Sequence, residues 1–337
     1  MSVDLLVHGI RVRIAGPDPA VLESLAGLFL GFEAAPAGHP HVEVELREGR
    51  RPPALERRMV ADQVVERGLV YNRGDTVFVD HHGVSGSVYD YAAERGTIYA
   101  EEPADFVEQG YLMIHSRLGP HLERRGFVRL HACGFVVDGQ AGLALAPSGG
   151  GKSRLAVALL RHDPSVSLLG DDMVLLDRLG RALPFPHPIG VSDPSVGEGL
   201  GEVRRFQRRA HGDKWLIGGA PLLARHAAGR FPVAMVALLT RASAPPTKLT
   251  EAPPGALWAA LWRDAVVGLG LPQVIEMVAR RGAQDLVAMT PSVLRRARSA
   301  AALASRAQAR RLESHDPSEA AGLLLDGLRR CASAPNG

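Results

Sequence analysis

Apolar and polar residues alternate through "VDLLVHGIRVRIAG" and again through "HVEVELREG", a period of two that predicts strands with one buried face. Between them "DPAVLESLAGLFLGF" opens on Asp18-Pro19 and continues apolar, the pattern of a capped helix. "VVERGLVYNRGDTVFVDHHG" and "GTIYAEE" read as further short strands separated by Gly and Asn turns. The first part of the chain is therefore expected to be a small, strand-rich α+β domain, residues 1–115. "PADFVEQGYLMIHSRLGPHLERRG" follows as a helix interrupted near Gly119-Pro120.

From Phe127 the pattern changes. "FVRLHACGFVVDGQAGLALAPSGGGKS" is an apolar strand, an Asp138-Gly139 turn, a second apolar strand and a glycine loop; Asp-Gly between two strands predicts a hairpin. "SRLAVALLRH" is a short amphipathic helix, "VSLLGDDMVLLD" a buried strand broken at Gly-Asp-Asp, and "PVAMVALLTR" another buried strand. "PPGALWAALWRDAVV" starts a helix. Strands alternating with helices point to an α/β layered domain over residues 116–330.

The loop carries the chemistry. A phosphate-binding loop needs glycines that let backbone N–H groups approach an anion, a lysine for the terminal phosphates, an adjacent hydroxyl for Mg²⁺, and a helix N-terminus behind them. Ser148, Gly149, Gly150, Gly151, Lys152 and Ser153 supply these between a strand and a helix, with Ala146 where the G-x-x-x-x-G-K-[ST] pattern begins with glycine. An alanine fits there if its φ is negative. Asp171 stands 19 residues after Lys152, at the end of an apolar strand and next to Asp172. That interval suits a helix, a turn and a strand returning to the same sheet edge. One carboxylate can hold Mg²⁺ with Ser153; the other can take the proton of an attacking hydroxyl. The expected division is Asp171 as base and Asp172 on the metal. His131 stands on the first strand of the hairpin that feeds the loop.

The His131 strand, the Asp-Gly hairpin, "SGGGKS" and "GDD" together resemble the catalytic domain of HPr kinase/phosphorylase, whose core is similar to that of PEP carboxykinase. His131 lies 21 residues before Lys152, a spacing that looks like the family's. The resemblance implies a P-loop kinase domain with the hairpin feeding the loop, ATP as phosphate donor, and Mg²⁺. It implies that His131 lines the phosphate site, Lys152 binds phosphate, Ser153 binds Mg²⁺, Asp171 is the base and Asp172 supports the metal. The region beyond the Asp pair lacks the family's "EIRG-L-G" signature. The chain looks more like HPr-kinase-related proteins that accompany peptide-modifying gene clusters, so the implied acceptor is a serine of a peptide or protein. The resemblance also implies a homo-oligomer. A small alcohol or amino acid as acceptor, and a nucleotide-binding regulatory module without transfer, are the alternatives.

Charge changes this picture little. The net charge is +3, and the arginines concentrate in "RRFQRRAHGDK" and in "LRRARSAAALASRAQARR". The second has helical composition and reads as a solvated basic face. The first could hold an acidic peptide, with Lys214 as its substrate or phosphate contact. No aromatic-interleaved basic stripe or reading module suggests nucleic acid. His187, in "PFPHPIGV", either borders the nucleotide or belongs to a rigid turn. His81 and His82 read as a hairpin turn, and Cys133 as a small core residue. No signal-peptide pattern or membrane-spanning run is seen, so the expected location is cytoplasmic.

Overall fold

The computed structural model describes residues 1–55, 60–65, 68–207, 212–268 and 283–333. It is a mixed α/β structure that divides into two units, Met1–His121 with Arg205–Lys214 and Pro272–Val287, and Leu122–Arg204 with Trp215–Leu271 and Ala288–Gly337.

The first unit is built on nine strands: β1 (Ser2–Val7), β2 (Ile10–Ala15), β3 (Glu33–Ala34), β4 (Val42–Glu48), β5 (Gln63–Val65), β6 (Gly68–Arg73), β7 (Thr76–His81), β8 (Ser85–Asp90) and β9 (Arg95–Ala100). They form one sheet in the order β3-β1-β2-β4-β9-β8-β7-β6-β5. The period-two pattern is realised directly: Ile10, Val12 and Ile14 are buried while Arg11, Arg13 and Ala15 are not. Helix α1 (Pro19–Ala26) starts where Asp18 accepts from the Ala20 N–H at 2.8 Å, an N-cap closing one orphan donor. It ends at Gly27, before the apolar run does. Helix α2 (Pro103–Arg124) runs unbroken through Pro120, contrary to the interruption expected there. Proline removes one helical N–H, and burial on both sides of it, at Leu118 and Leu122 (both 0% exposed), holds the turn in place. Close approach also fixes α2. A Cβ on Gly110 would lie 2.5 Å from Leu25 Cδ2, and one on Gly96 2.4 Å from Met113 Sδ.

The second unit holds β10 (Val128–Leu130), β11 (Ala132–Val137), β12 (Gln140–Leu145), α3 (Lys152–His162), β13 (Ser167–Gly170), β14 (Val174–Leu176), β15 (Ala182–Leu183) and β16 (Ile189–Val191). Further along come β17 (Glu202–Phe206), β18 (Lys214–Gly218), α4 (Gly219–Leu223), β19 (Val233–Arg241), β20 (Lys248–Glu251), α5 (Ala256–Leu261), α6 (Ala283–Ala304), β21 (Gln308–Ser314) and α7 (Pro317–Ser333), of which β17, β18 and α6 are divided between the units. The main sheet has the order β13-β11-β12-β19-β21-β20. The β11–β12 turn places Asp138 at φ 51 and Gly139 at φ 73, the two left-handed residues that a type I′ hairpin requires. Ala141, Leu143 and Leu145 of β12 share a core with α5 and with Ala300 and Leu303 of α6, while α3 and α7 pack on β11, β12 and β19.

Strand direction positions the site. β11 is antiparallel to both β12 and β13, so those two run the same way; β12, β19 and β21 are mutually parallel. The carboxyl ends of β13, β12, β19 and β21 therefore share one edge with the start of β11. Ligands in open α/β sheets bind outside such an edge.

The arginine-rich segment departs from the expected single helix with a solvated face. Helix α6 ends at Ala304, and Gln308–Ser314 continues as β21 parallel to β19. Arg296 is buried and pairs with Glu123 (Nε to Oε1, 2.8 Å). Alternation in "QARRLES", with Leu312 fully buried, lets this stretch fill the place beside β19 despite its helical composition. Among the described residues, no helix is long and apolar enough to cross a membrane.

Candidate active site

The loop leaves β12 at Leu145 and enters α3 at Lys152. Ala146 is buried and does not adopt positive φ. A Cβ at Gly150 would sit 2.7 Å from Ala146 Cβ and 2.9 Å from Pro147 O, so the methyl of Ala146 and the bare Gly150 fit each other. Gly149 (φ 76) and Gly151 (φ 103) take left-handed conformations open to glycine at little cost. Gly151 is the N-cap of α3, which turns unsatisfied helix N–H groups towards the loop. Ser148 lies exposed in the loop.

Lys152 is 4% exposed. Its ammonium donates to Ala146 O (2.9 Å) and Pro147 O (3.3 Å) and lies 3.5 Å from Asp172 Oδ1. The lysine is thus held in the mouth of its own loop, on carbonyls that a phosphate oxygen could replace. One residue on, Ser153 Oγ donates to Asp171 Oδ2 at 2.8 Å.

The two aspartates follow β13 because the backbone there is closely packed. A Cβ on Gly170 would lie 2.1 Å from Met173 O and 3.1 Å from Phe185 O. Gly170→Ala is therefore expected to destabilise the unit by about 1–3 kcal/mol or more, as forced overpacking does, read as a lower urea midpoint. Asp171 is 2% exposed, whereas the side chain of Asp172 is 48% exposed. His131 Nε2 lies 3.0 Å from Asp172 Oδ1; against an ionised carboxylate the imidazole is the donor. Partial burial pushes the Asp172 carboxyl up, but the His131 hydrogen bond and the charges of His131 and Lys152 outweigh it and hold the group well below the usual carboxylate range.

His131 is not within the hairpin strand as expected. It occupies the single-residue break between β10, which pairs with β14 in a small separate sheet, and β11 in the main one. The chain changes sheet there, and this brings the ring, 2% exposed, to the shared edge. His187, of undecided role in the sequence, is 3.0 Å from Asp171 Oδ1 through Nδ1. Burial pushes its imidazole down, but the Asp171 charge prevails and the pKa is raised. Asp171 Oδ1 itself is buried with no hydrogen-bond partner among the described residues, so the His187 contact is one of charge.

The structure thus joins His131, Lys152, Ser153, Asp171 and Asp172 in one cluster and adds His187. The pairing differs from the expected one in a single respect: Ser153 is joined to Asp171, and Asp172 to His131 and Lys152. Cys133 is fully buried, and burial, reinforced by the Asp171 charge, pushes its thiol far up, which keeps it protonated in the core. Lys214 is half-buried at the start of β18 and falls in the first unit. In the same basic segment Arg205 donates to Asp213 (Nε, 2.8 Å), while Arg208 and Arg209 lie outside the described residues. His81 and His82 close the β7–β8 hairpin, His82 at φ 56.

Among the described residues, no group of three or more His, Cys, Asp or Glu side chains is arranged as a metal cage. Mg²⁺ at a nucleotide takes one or two protein oxygens and fills its shell with phosphate and water. A hydroxyl beside a buried carboxylate, as at Ser153 and Asp171, offers oxygens of that kind, with His187 against the second carboxylate oxygen. No protein-family model matches the chain, and no curated protein matches it.

Proposed function

We propose that the second unit is a P-loop kinase domain of the HPr kinase and PEP carboxykinase type. It transfers the γ-phosphate of ATP to a hydroxyl, with a serine of a peptide or protein as the leading acceptor. The observation that carries this reading is the convergence of Lys152, Ser153, His131 and two differently held carboxylates at one loop mouth. A site that only bound nucleotide would have use for one carboxylate on its metal; the second, half-exposed at the mouth, suits a proton acceptor.

Phosphoryl transfer requires positioning and charge neutralisation more than covalent chemistry. The amides of Gly149 to Gly151 and the Lys152 ammonium cradle the terminal phosphates. Ser153 and Asp171 are the residues that would hold Mg²⁺, which when bound would neutralise phosphate charge. This exchanges the roles that the sequence pattern suggested for the two aspartates, because Asp171 is the one buried against Ser153. Asp172 orients the acceptor hydroxyl and takes its proton. The Asp172 side chain, half-exposed at the loop mouth, is the carboxylate an arriving hydroxyl can reach. His131 also presents its ring to the transferring phosphate, and His187 positions Asp171.

The test is intact-mass analysis of serine-containing peptides and proteins encoded beside this gene, incubated with the chain and Mg-ATP. Addition of one phosphate to a serine is the expected outcome. Bound ATP with no phosphate gained by any such acceptor would overturn the peptide-kinase reading.

A further inference from the structure

Beside the loop, the sheet edge opens into a cavity of about 410 Å³, within the ~300–1,000 Å³ range of small-molecule sites. Its walls include Gly150 and Gly151 of the loop, Arg154 in the first turn of α3, Arg241 and Ser243 at and beyond the end of β19, and His315 just after β21. Strand order explains where it lies. Proceeding from β12 in one direction, the edge meets the start of β11 and the end of β13, which carry His131, Asp171 and Asp172. In the other direction it meets the ends of β19 and β21, and there the cavity opens. The loop separates the cavity from the two carboxylates.

The charge of this cavity is one-sided. Arg154 and Arg241 are exposed, no carboxylate lines the walls, and among the described residues neither guanidinium has a hydrogen-bond or ion-pair partner. An unneutralised pair of guanidinium groups suits a phosphate oxygen and the face of an aromatic base, on which arginine stacks. Ser243 and Ser314 add small hydrogen-bonding groups to the same walls.

We infer that this cavity seats the nucleoside and α-phosphate of the nucleotide whose terminal phosphates the loop holds. The inference rests on the kinase reading and extends it. The nucleotide lies along the sheet edge, its base over the ends of β19 and β21, and its γ-phosphate towards His131 and Asp172. The acceptor hydroxyl must then arrive from the β11–β13 side.

Calorimetric titration of the full chain in Mg²⁺, with ADP and separately with pyrophosphate, tests this. Arg241→Ala removes a cation, and Ser243→Trp fills the cavity without changing charge; both positions are exposed. The expected result is that the wild type binds both ligands and each variant weakens ADP about tenfold with pyrophosphate affinity retained. That split also shows the loop to be intact in the variants. If the wild type binds both ligands and the variants bind ADP as well as it does, or lose both ligands equally, the nucleoside seat is overturned while the kinase reading stands. If the wild type binds neither, the loop is no nucleotide site, and the inference falls with that reading.

Discussion

Asp172→Asn is expected to lower phosphoryl transfer by about 10²–10⁴-fold, the usual worth of a positioned general base, while nucleotide affinity is retained or slightly improved. The second part follows from Lys152. Its ammonium lies 3.5 Å from Asp172 Oδ1, so neutralising that carboxylate releases the lysine for phosphate. Asp171→Asn should behave differently. With Ser153 Oγ bonded to Asp171 Oδ2 and the other oxygen without a hydrogen bond, its charge is placed for the cation. The variant should need more Mg²⁺ to bind ATP and lose transfer as a consequence. Titrating Mg²⁺ against ATP affinity and phosphopeptide yield in both variants separates the two roles. Loss of transfer in Asp171→Asn with unchanged Mg²⁺ dependence, and a raised Mg²⁺ requirement in Asp172→Asn, would restore the assignment that the sequence resemblance implies.

What the sequence revealed of this site was what local chemistry encodes. Asp138-Gly139 announces the hairpin because few other pairs adopt two successive positive φ values. The three glycines before Lys152-Ser153 announce a loop whose backbone must approach an anion. Gly170 before the aspartates announces a break in the strand, and the structure adds the reason, since a Cβ there would meet the Met173 carbonyl. The partners of the two carboxylates were not legible, since contacts across the fold decide them. His187 follows a proline-rich stretch with no periodicity. It reaches Asp171 because the Phe185 N–H bonds to Leu169 O at 2.7 Å and draws the chain back beside β13. The position of His131 depends on a change of sheet that leaves no mark in an apolar run. The arginine-rich segment misled for a related reason. Its composition favours helix throughout, but the open place beside β19 recruits its last part as a strand.

Glu94→Gln is expected to destabilise the first unit by about 2–4 kcal/mol at neutral pH. That is somewhat less than full removal of one member of a buried pair costs, because the Glu94 side chain keeps 22% exposure and solvent screens it. Glu94 sits in the β8–β9 turn at φ 51, a conformation a non-glycine residue holds only when its surroundings favour it. Its Oε1 accepts from Arg117 Nη2 at 2.8 Å and its Oε2 from Tyr89 OH at 2.7 Å, with His121 Nε2 3.5 Å from Oε1. The Arg117 guanidinium, 7% exposed, also lies over the rings of Tyr89 and Tyr91 at 5.1 and 4.7 Å. Removing the carboxylate takes away the charge that Glu94 sets against that buried cation. Burial pushes the Glu94 carboxyl up, but the His121 ring 3.5 Å away and the hydrogen bonds and charge of Arg117 prevail and bring its pKa to about 2, from an ordinary 4.5. A carboxylate depressed on folding contributes stability above its unfolded pKa and loses it as pH falls through its folded one. The difference between wild type and variant should therefore be full above about pH 5 and shrink steadily as pH falls from 4.5 towards about 2. Urea unfolding of both proteins across that range is the measurement. A difference that does not change with pH would mean that Glu94 acts by shape and hydrogen bonding alone, and that its charge contributes nothing to holding the hairpin on α2.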